Sequence, residues 1–96
     1  MTPERIVELA TSQKDTAPVL TSSNVLYFAS ERPGVGGRDI YRAERPDESS
    51  PFGAPVLVIG INTTGDEGDP WVSQDERVIY YTRGPSGNTD IYVSMR

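Results

Sequence analysis

The 96-residue chain contains no cysteine and no histidine. Without cysteine it can form neither a disulfide nor a thiolate metal site. Without histidine it has no imidazole general base, no Ser-His-Asp or Cys-His arrangement and none of the commonest metal ligand. Any catalysis would have to use carboxylates, tyrosine, lysine or arginine. We therefore expect a protein that is not an enzyme and that holds no metal and no cofactor.

Long apolar runs and excess positive charge are also missing. No run approaches the roughly 18 apolar residues of a transmembrane helix, and no apolar stretch after Met1 marks a signal peptide. Nine basic and fourteen acidic residues give a net charge of −5. An acidic surface lacks the positive footprint that contacts nucleic-acid phosphates. We expect no nucleic-acid partner and no membrane insertion.

What the sequence does contain is a repeat, spaced by 51 to 53 residues. Such a spacing is typical of architectures that stack similar units. The matched segments are Pro18 with Pro70, Val25–Phe28 with Val78–Tyr81, Arg32 with Arg83, and Asp39–Tyr41 with Asp90–Tyr92. The drift in spacing falls between these blocks, where turns absorb insertions. The sequence predicts one domain, residues 1–96, with repeats at about 5–45 and 54–96.

Both copies predict short strands, so the fold class is all-β. The expected strands are Arg5–Leu9, Ala17–Thr21, Val25–Ser30, Asp39–Arg45, Pro55–Ile59, Trp71–Ser73, Arg77–Thr82 and Asp90–Met95. A helix over residues 2–13 remains the alternative for the first of these, because Thr2-Pro3-Glu4 is a good helix start. The unbroken apolar run at Val25–Ser30 indicates a strand buried on both faces, as in stacked sheets.

The glycine-rich loop and the segment after it carry a family resemblance. Residues 31–41 read ERPGVGGRDIY, and residues 54–71 read APVLVIGINTTGDEGDPW. The repeat resembles the TolB-type, WD-like β-propeller repeat of bacterial proteins over about residues 5–96. It departs from that pattern in the second loop, RGPSGNTDIY, and in the turns at 23–24 and 75–76, where the family has Asp-Gly.

The resemblance implies two propeller blades, each a four-stranded antiparallel sheet, with strand order d-a-b-c d-a-b-c. It also implies a periplasmic or extracellular location. Propellers typically need four to eight blades, so two blades cannot close a ring. We expect a closed homo-oligomer, with a trimer supplying six blades. The alternatives are a fragment of a longer propeller and an engineered propeller piece with no independent function.

Propeller loops that emerge on one face predict a ligand surface. They bring together loops 31–38 and 62–69 with residues 14–15 and 84–89. The expected binding residues are Arg32, Arg38, Asp66, Glu67, Asp69 and Arg83. Surface loops on a rigid scaffold are where binding tends to be found. The expected function is a non-enzymatic scaffold that binds a protein or a glycan, and the alternative is a carboxylate-based propeller glycosidase.

Two pairs at the hairpin bases are expected to be structural, Arg32 with Asp39 and Arg83 with Asp90, because both loops have the same length. Ligand binding is their alternative role. The loop glycines do not form a phosphate cradle, since a strand and not a helix follows them. Asp66, Glu67 and Asp69 form an acidic cluster that is expected to be part of a solvated loop. Calcium binding is the alternative role for this cluster. Trp71 is expected to pack in a core, and sugar stacking is its alternative.

Overall fold

The computed structural model describes residues 3–85 and 87–95. Within these ranges the chain forms two antiparallel sheets. The strands are β1 Asp15–Leu20, β2 Val25–Ser30, β3 Asp39–Glu44, β4 Val56–Leu57, β5 Glu67–Val72, β6 Val78–Arg83 and β7 Asp90–Met95. The first sheet has the order β1-β2-β3-β4 and the second has the order β5-β6-β7. The all-β fold class is thus confirmed.

Four residues lie outside the described ranges. Parts of three sequence predictions fall on these residues. Met1 and Thr2 belong to the expected start of the domain and of the alternative helix. Ser86 belongs to the second hairpin loop, and Arg96 is the expected end of the second repeat. Among the residues that are described, no helix is long and apolar enough to cross a bilayer.

The repeat extends to the register of the strands. Val19 faces Tyr27 in the first sheet, and Trp71 faces Tyr80 in the second. The β2–β3 ladder of the first sheet has its counterpart in the β6–β7 ladder of the second, pair for pair. Because register decides which face each side chain occupies, every residue of the first three strands has a counterpart on the equivalent face of the second sheet.

Backbone irregularities repeat as well. The β1–β2 ladder shifts between Thr16 and Val19, and the β5–β6 ladder shifts at the matching place. Ala17 has a φ of 56° and Asp69 has a φ of 47°. This is the left-handed region that side chains other than glycine rarely adopt. The two bulges show that the copies share a strained backbone as well as a sequence pattern.

The expected strand at Arg5–Leu9 is wrong. Residues 7–9 form a turn, in which the backbone N–H of Leu9 donates to the carbonyl of Ile6 at 3.1 Å. None of the ladders of the described chain includes this segment, because it turns at residues 7–9 before it could pair with a sheet edge. Leu9 packs instead on the outer face of the first sheet.

The expected loop 62–69 ends earlier than the sequence indicates, because β5 begins at Glu67. Glu67 pairs with Arg83 and Gly68 pairs with Thr82 on β6. The ladder then shifts between Gly68 and Trp71, where Asp69 has a left-handed backbone. The strand β5 therefore starts four residues before Trp71.

Two apolar clusters hold the chain together. The first lies between the sheets and consists of Val25, Tyr27, Ile40, Val58, Ile61, Val72, Ile79 and Tyr81, with Val19 packed against it. The second covers the outer face of the first sheet and consists of Leu9, Phe28, Tyr41, Ala43 and Phe52, with Leu26 and Leu57. The outer face of the second sheet is left exposed.

Candidate functional site

The loop before β3 and the loop before β5 are joined by backbone hydrogen bonds. The N–H of Gly37 donates to the carbonyl of Gly65 at 3.2 Å, and the N–H of Glu67 donates to the carbonyl of Arg38 at 2.9 Å. The N–H of Arg38 donates to Oδ1 of Asp66 at 2.7 Å. The structure therefore places the two predicted loops side by side. We call this region the loop surface.

A polar cleft of about 620 Å³ opens in the loop surface. It is lined by Lys14, Glu31, Gly36, Gly37, Arg38 and Asp66. One lining residue, Gly36, must be glycine, because a Cβ there would collide with the backbone carbonyls of Gly65 and Thr63 in the facing loop, and a Cβ at Gly37 would displace the Asp66 carboxylate. The cleft therefore depends on backbone that lies unusually close together.

The two cations of the cleft form no ion pair with the carboxylates of the described residues. Within residues 3–85 and 87–95, neither Lys14 nor Arg38 makes a side-chain ion pair. Arg38 is half-buried against Gly68 on β5, whereas Lys14 is exposed just before β1. Two positive groups and two negative groups thus line one opening, with both cations available to a ligand.

Asp39 fixes the shape of the glycine loop. Its carboxylate is fully buried and accepts hydrogen bonds from the N–H groups of Val35 at 2.8 Å and Gly36 at 3.1 Å. A buried carboxylate is stable only when such donors satisfy it. Asp39 is therefore a loop anchor, but backbone amides hold it where the sequence led us to expect Arg32.

Arg32 bonds across to β1. Its Nη2 lies 3.2 Å from Oδ1 of Asp15 and donates to the carbonyl of Leu9 at 2.7 Å. The expected pair with Asp39 is not formed, because the side chain follows the end of β2 towards β1 and away from β3. The arginine ties the N-terminal segment to the first sheet.

Arg83 repeats this arrangement in the second sheet. Its Nε donates to Oε2 of Glu67 at 3.0 Å, and its Nη2 donates to the carbonyl of Ile61 at 2.9 Å. The expected partner, Asp90, lies exposed at the start of β7. Glu67 is fully buried, so its carboxylate lies inside the structure and not on a binding surface, whereas Arg83 is half-buried.

Each arginine also covers a stacked aromatic pair. The pairs are Phe28 with Tyr41 at 6.1 Å, and Tyr81 with Tyr92 at 5.8 Å, measured between ring centroids. The guanidinium carbon of Arg32 lies 5.1 Å and 5.2 Å from the two rings of the first pair, and that of Arg83 lies 5.6 Å and 4.6 Å from the second. Cation–π contact adds to the ion pair. Both arginines, although they were expected on the loop surface, serve the packing of their own sheets.

Asp15 is the carboxylate that Arg32 binds in the first sheet. Burial raises the pKa of Asp15, but hydrogen bonds from Ser30, Arg32 and Thr11 outweigh it and bring the pKa below its ordinary value of 3.8. The Oγ of Ser30 donates at 2.6 Å. The carboxylate is therefore held ionised by its neighbours in the folded chain.

The three residues of the acidic cluster are separately engaged. Asp66 accepts the backbone N–H of Arg38, Glu67 pairs with Arg83, and Asp69 accepts from the hydroxyl of Thr82 at 3.3 Å. In the described part of the chain, no group of three or more Asp and Glu residues is placed to hold a metal ion. The structure therefore brings only Asp66 and Arg38, of the six expected binding residues, to the cleft.

A threonine at the start of each copy was missed by the sequence reading. Thr11 donates to Oδ2 of Asp15 at 3.0 Å, and Thr63 donates to Oε2 of Glu67 at 2.6 Å. The shared spacing of four residues between threonine and acid was a signal that could have found both. It places the start of the repeat at Leu9 and Ile61, whose carbonyls bind the two arginines.

Comparison with family models, curated proteins and solved structures gives no match. The resemblance to propeller repeats therefore rests on the residues of this chain alone.

Trp71 is exposed in the single chain, where a core position was expected. Its ring lies against that of Tyr80, with centroids 5.8 Å apart and planes inclined by 57°. Both rings belong to the outer face of the second sheet, on which nothing in the described chain packs. Exposed apolar patches of this kind mark interaction surfaces more often than chance.

Proposed function

We propose that the chain is a non-enzymatic scaffold of TolB-like β-propeller blades. It assembles with copies of itself into a closed ring, six sheets from three chains, and binds a ligand through its loop surface. The single observation that carries the ligand-binding part is the polar cleft, in which the cations of Lys14 and Arg38 are free of ion pairs among the described residues.

The chemistry of the cleft favours a protein ligand over a glycan. Sugar sites commonly offer an aromatic face for stacking, and the lining residues include no aromatic side chain. They offer instead two cations, two carboxylates and close-packed backbone. Paired charges of both signs suit the charged side chains of a polypeptide, because electrostatic complementarity sets orientation and specificity.

Assembly into a ring would also strengthen ligand binding at the loop surface. A ring of three chains would repeat the cleft three times on one face, and multivalent binding strengthens weak single contacts.

The ligand-binding proposal is tested with fluorescently labelled protein on two arrays, one of charged peptides and one of oligosaccharides. We expect binding to peptides that carry both acidic and basic residues. Arg38→Ala should weaken that binding by about tenfold or more, since it removes a charged hydrogen-bond donor from the cleft. Arg77→Ala removes the same charge from an exposed turn outside the cleft and should leave binding unchanged.

Binding confined to the glycan array would replace the protein ligand with a sugar. Binding to neither array, or equal binding by the Arg38 and Arg77 variants, would contradict a ligand site in the cleft.

A further inference from the structure

Repeat-equivalent residues have opposite exposure in the two sheets. Ile40 is 0% exposed, whereas its counterpart Ile91 is 79% exposed. Tyr27 is 1% exposed, whereas its counterpart Tyr80 is 45% exposed. Ile40 and Tyr27 lie on the inner face of the first sheet, where the second sheet covers them. The equivalent face of the second sheet has the same kind of residues and no cover within the described chain.

A surface that could cover these exposed residues lies on the outer face of the first sheet. A cleft of about 430 Å³ lies on the outer face of the first sheet. Its lining includes Ile6, Leu9, Pro18, Leu26 and Phe28. The apolar character of this lining makes it a candidate docking surface.

The residues of this cleft are the counterparts of the residues with which the second sheet packs on the first sheet within the chain. The counterparts of Leu26 and Phe28 are Ile79 and Tyr81, which belong to the cluster between the sheets. The counterpart of Leu9 is Ile61, which belongs to the same cluster.

The residue of β1 that pairs with Leu26 shows the same difference in exposure. This residue, Leu20, is 46% exposed, whereas its counterpart Val72 on β5 is 3% exposed. Val72 is buried because the first sheet packs on it. One copy of the chain therefore has both halves of the contact that joins its own two sheets, each half exposed and on an opposite outer face.

We propose that the outer face of the second sheet in one copy docks on the outer face of the first sheet in the next copy. The docked pair repeats the contact between the two sheets of a single chain. Trp71, Tyr80 and Ile91 enter the apolar cleft beside Leu9, Leu26 and Phe28. This inference rests on the assembly part of the proposed function and specifies its surfaces.

The contact is head-to-tail. The two docking faces differ in sequence, so an open row of copies still has one free face at each of its two ends, and only ring closure covers both. A symmetric dimer, in which one face meets itself, would leave the other face of both copies exposed. The occupant is a second copy because this chain itself carries both complementary faces.

Two substitutions block the faces separately. Ile91→Glu places a charge on the second-sheet face, and Leu20→Glu places one on the first-sheet face. Both residues are exposed in the single chain, so the fold should tolerate either change, which circular dichroism and thermal melting would verify. Val35→Glu, an exposed valine in the loop before β3, is the matched control.

Sedimentation equilibrium measures the outcome. The unmodified chain and the Val35 variant should give the same closed oligomer. Each blocked variant should weaken self-association by about 30-fold or more, as expected for a residue at the centre of an interface. A mixture of the two blocked variants should give a one-to-one dimer and nothing larger, because one intact pair of faces remains.

The single tryptophan of the chain reports on the same contact. Trp71 fluorescence should shift to shorter wavelength as the unmodified protein is concentrated, and the Ile91 variant should lack this shift. A monomer at every concentration, or blocked variants that fail to pair on mixing, would overturn the proposal. Peptide binding by the monomeric variants is measured separately and tests the loop surface alone. Loss of assembly can therefore be distinguished from loss of ligand binding.

Discussion

Arg83 and Glu67 form an ion pair with a distance of 3.0 Å between Nε and Oε2, on adjacent strands of the second sheet. Glu67 is fully buried and also accepts from Thr63. Arg32 and Asp15 form the equivalent pair in the first sheet, but Asp15 is partly exposed. The two pairs therefore differ in the burial of the carboxylate, which allows a buried and a partly exposed acid to be compared within one chain.

Removing the buried acid should cost more than removing the solvated one. Glu67→Ala removes a fully buried carboxylate that Arg83 and Thr63 bind, and we expect the free energy of unfolding to fall by about 3 kcal/mol. Asp15→Ala should cost about 1 kcal/mol or less, since water reaches the Asp15 carboxylate and weakens its pair. Urea denaturation at one fixed protein concentration measures both. Equal losses would mean that burial does not distinguish the two pairs.

Asp39 and Asp90 are counterparts with different expected roles. Asp39→Ala removes the acceptor for two loop amides, and we expect a loss of about 1–3 kcal/mol in the free energy of unfolding. Asp90→Ala alters an exposed side chain and should change stability by less than about 0.5 kcal/mol. Thermal melting of the two variants provides the measurement. A large loss for Asp90 would restore the hairpin pair expected from the sequence.

Ala17 is the bulge residue of β1 and has a φ of 56°. Ala17→Gly removes the steric strain of the left-handed backbone and should raise the free energy of unfolding by about 0.5 kcal/mol, after the greater entropy of unfolded glycine is subtracted. Ala54→Gly, at an exposed position without positive φ, should lower it by a similar amount. Chemical denaturation that gave both substitutions the same sign would exclude strain at the bulge.

Asp15 should contribute to acid sensitivity. Its pKa in the folded chain lies below 3.8, because hydrogen bonds from Ser30, Arg32 and Thr11 outweigh the effect of burial. Its stabilising contribution is therefore present above about pH 4 and is lost as the pH falls through the lowered pKa. In Asp15→Asn, the loss of stability relative to the unmodified chain should be largest at pH 7 and shrink towards pH 2.

The control is Asp90→Asn, which removes the same charge from an exposed position of β7. Urea midpoints are measured between pH 2 and pH 7 for both variants and for the unmodified chain. If the penalty of Asp15→Asn were constant over the whole range, the carboxylate would not be the group responsible.

The strands with unbroken apolar or alternating patterns were predictable. Val25–Ser30 and Asp90–Met95 lie where the sequence places them, because their side chains alone favour an extended and paired backbone. Arg5–Leu9 does not form the expected strand, since strand formation also depends on a partner strand elsewhere in the fold, which local sequence does not specify. Asp66 and Arg38 line the same cleft, whereas Arg32 and Arg83 bind within their own sheets.

The amino-acid sequence by itself determined the all-β class, the two copies and the positions of their central strands, because repeated hydrophobic patterns and turn residues act locally. Only the tertiary structure decided which carboxylate each arginine meets and which of two equivalent faces is buried. Those outcomes depend on what lies across the sheet. Ile40 and Ile91 occupy the same place in the pattern, and the presence or absence of a neighbouring sheet alone makes one of them core and the other surface.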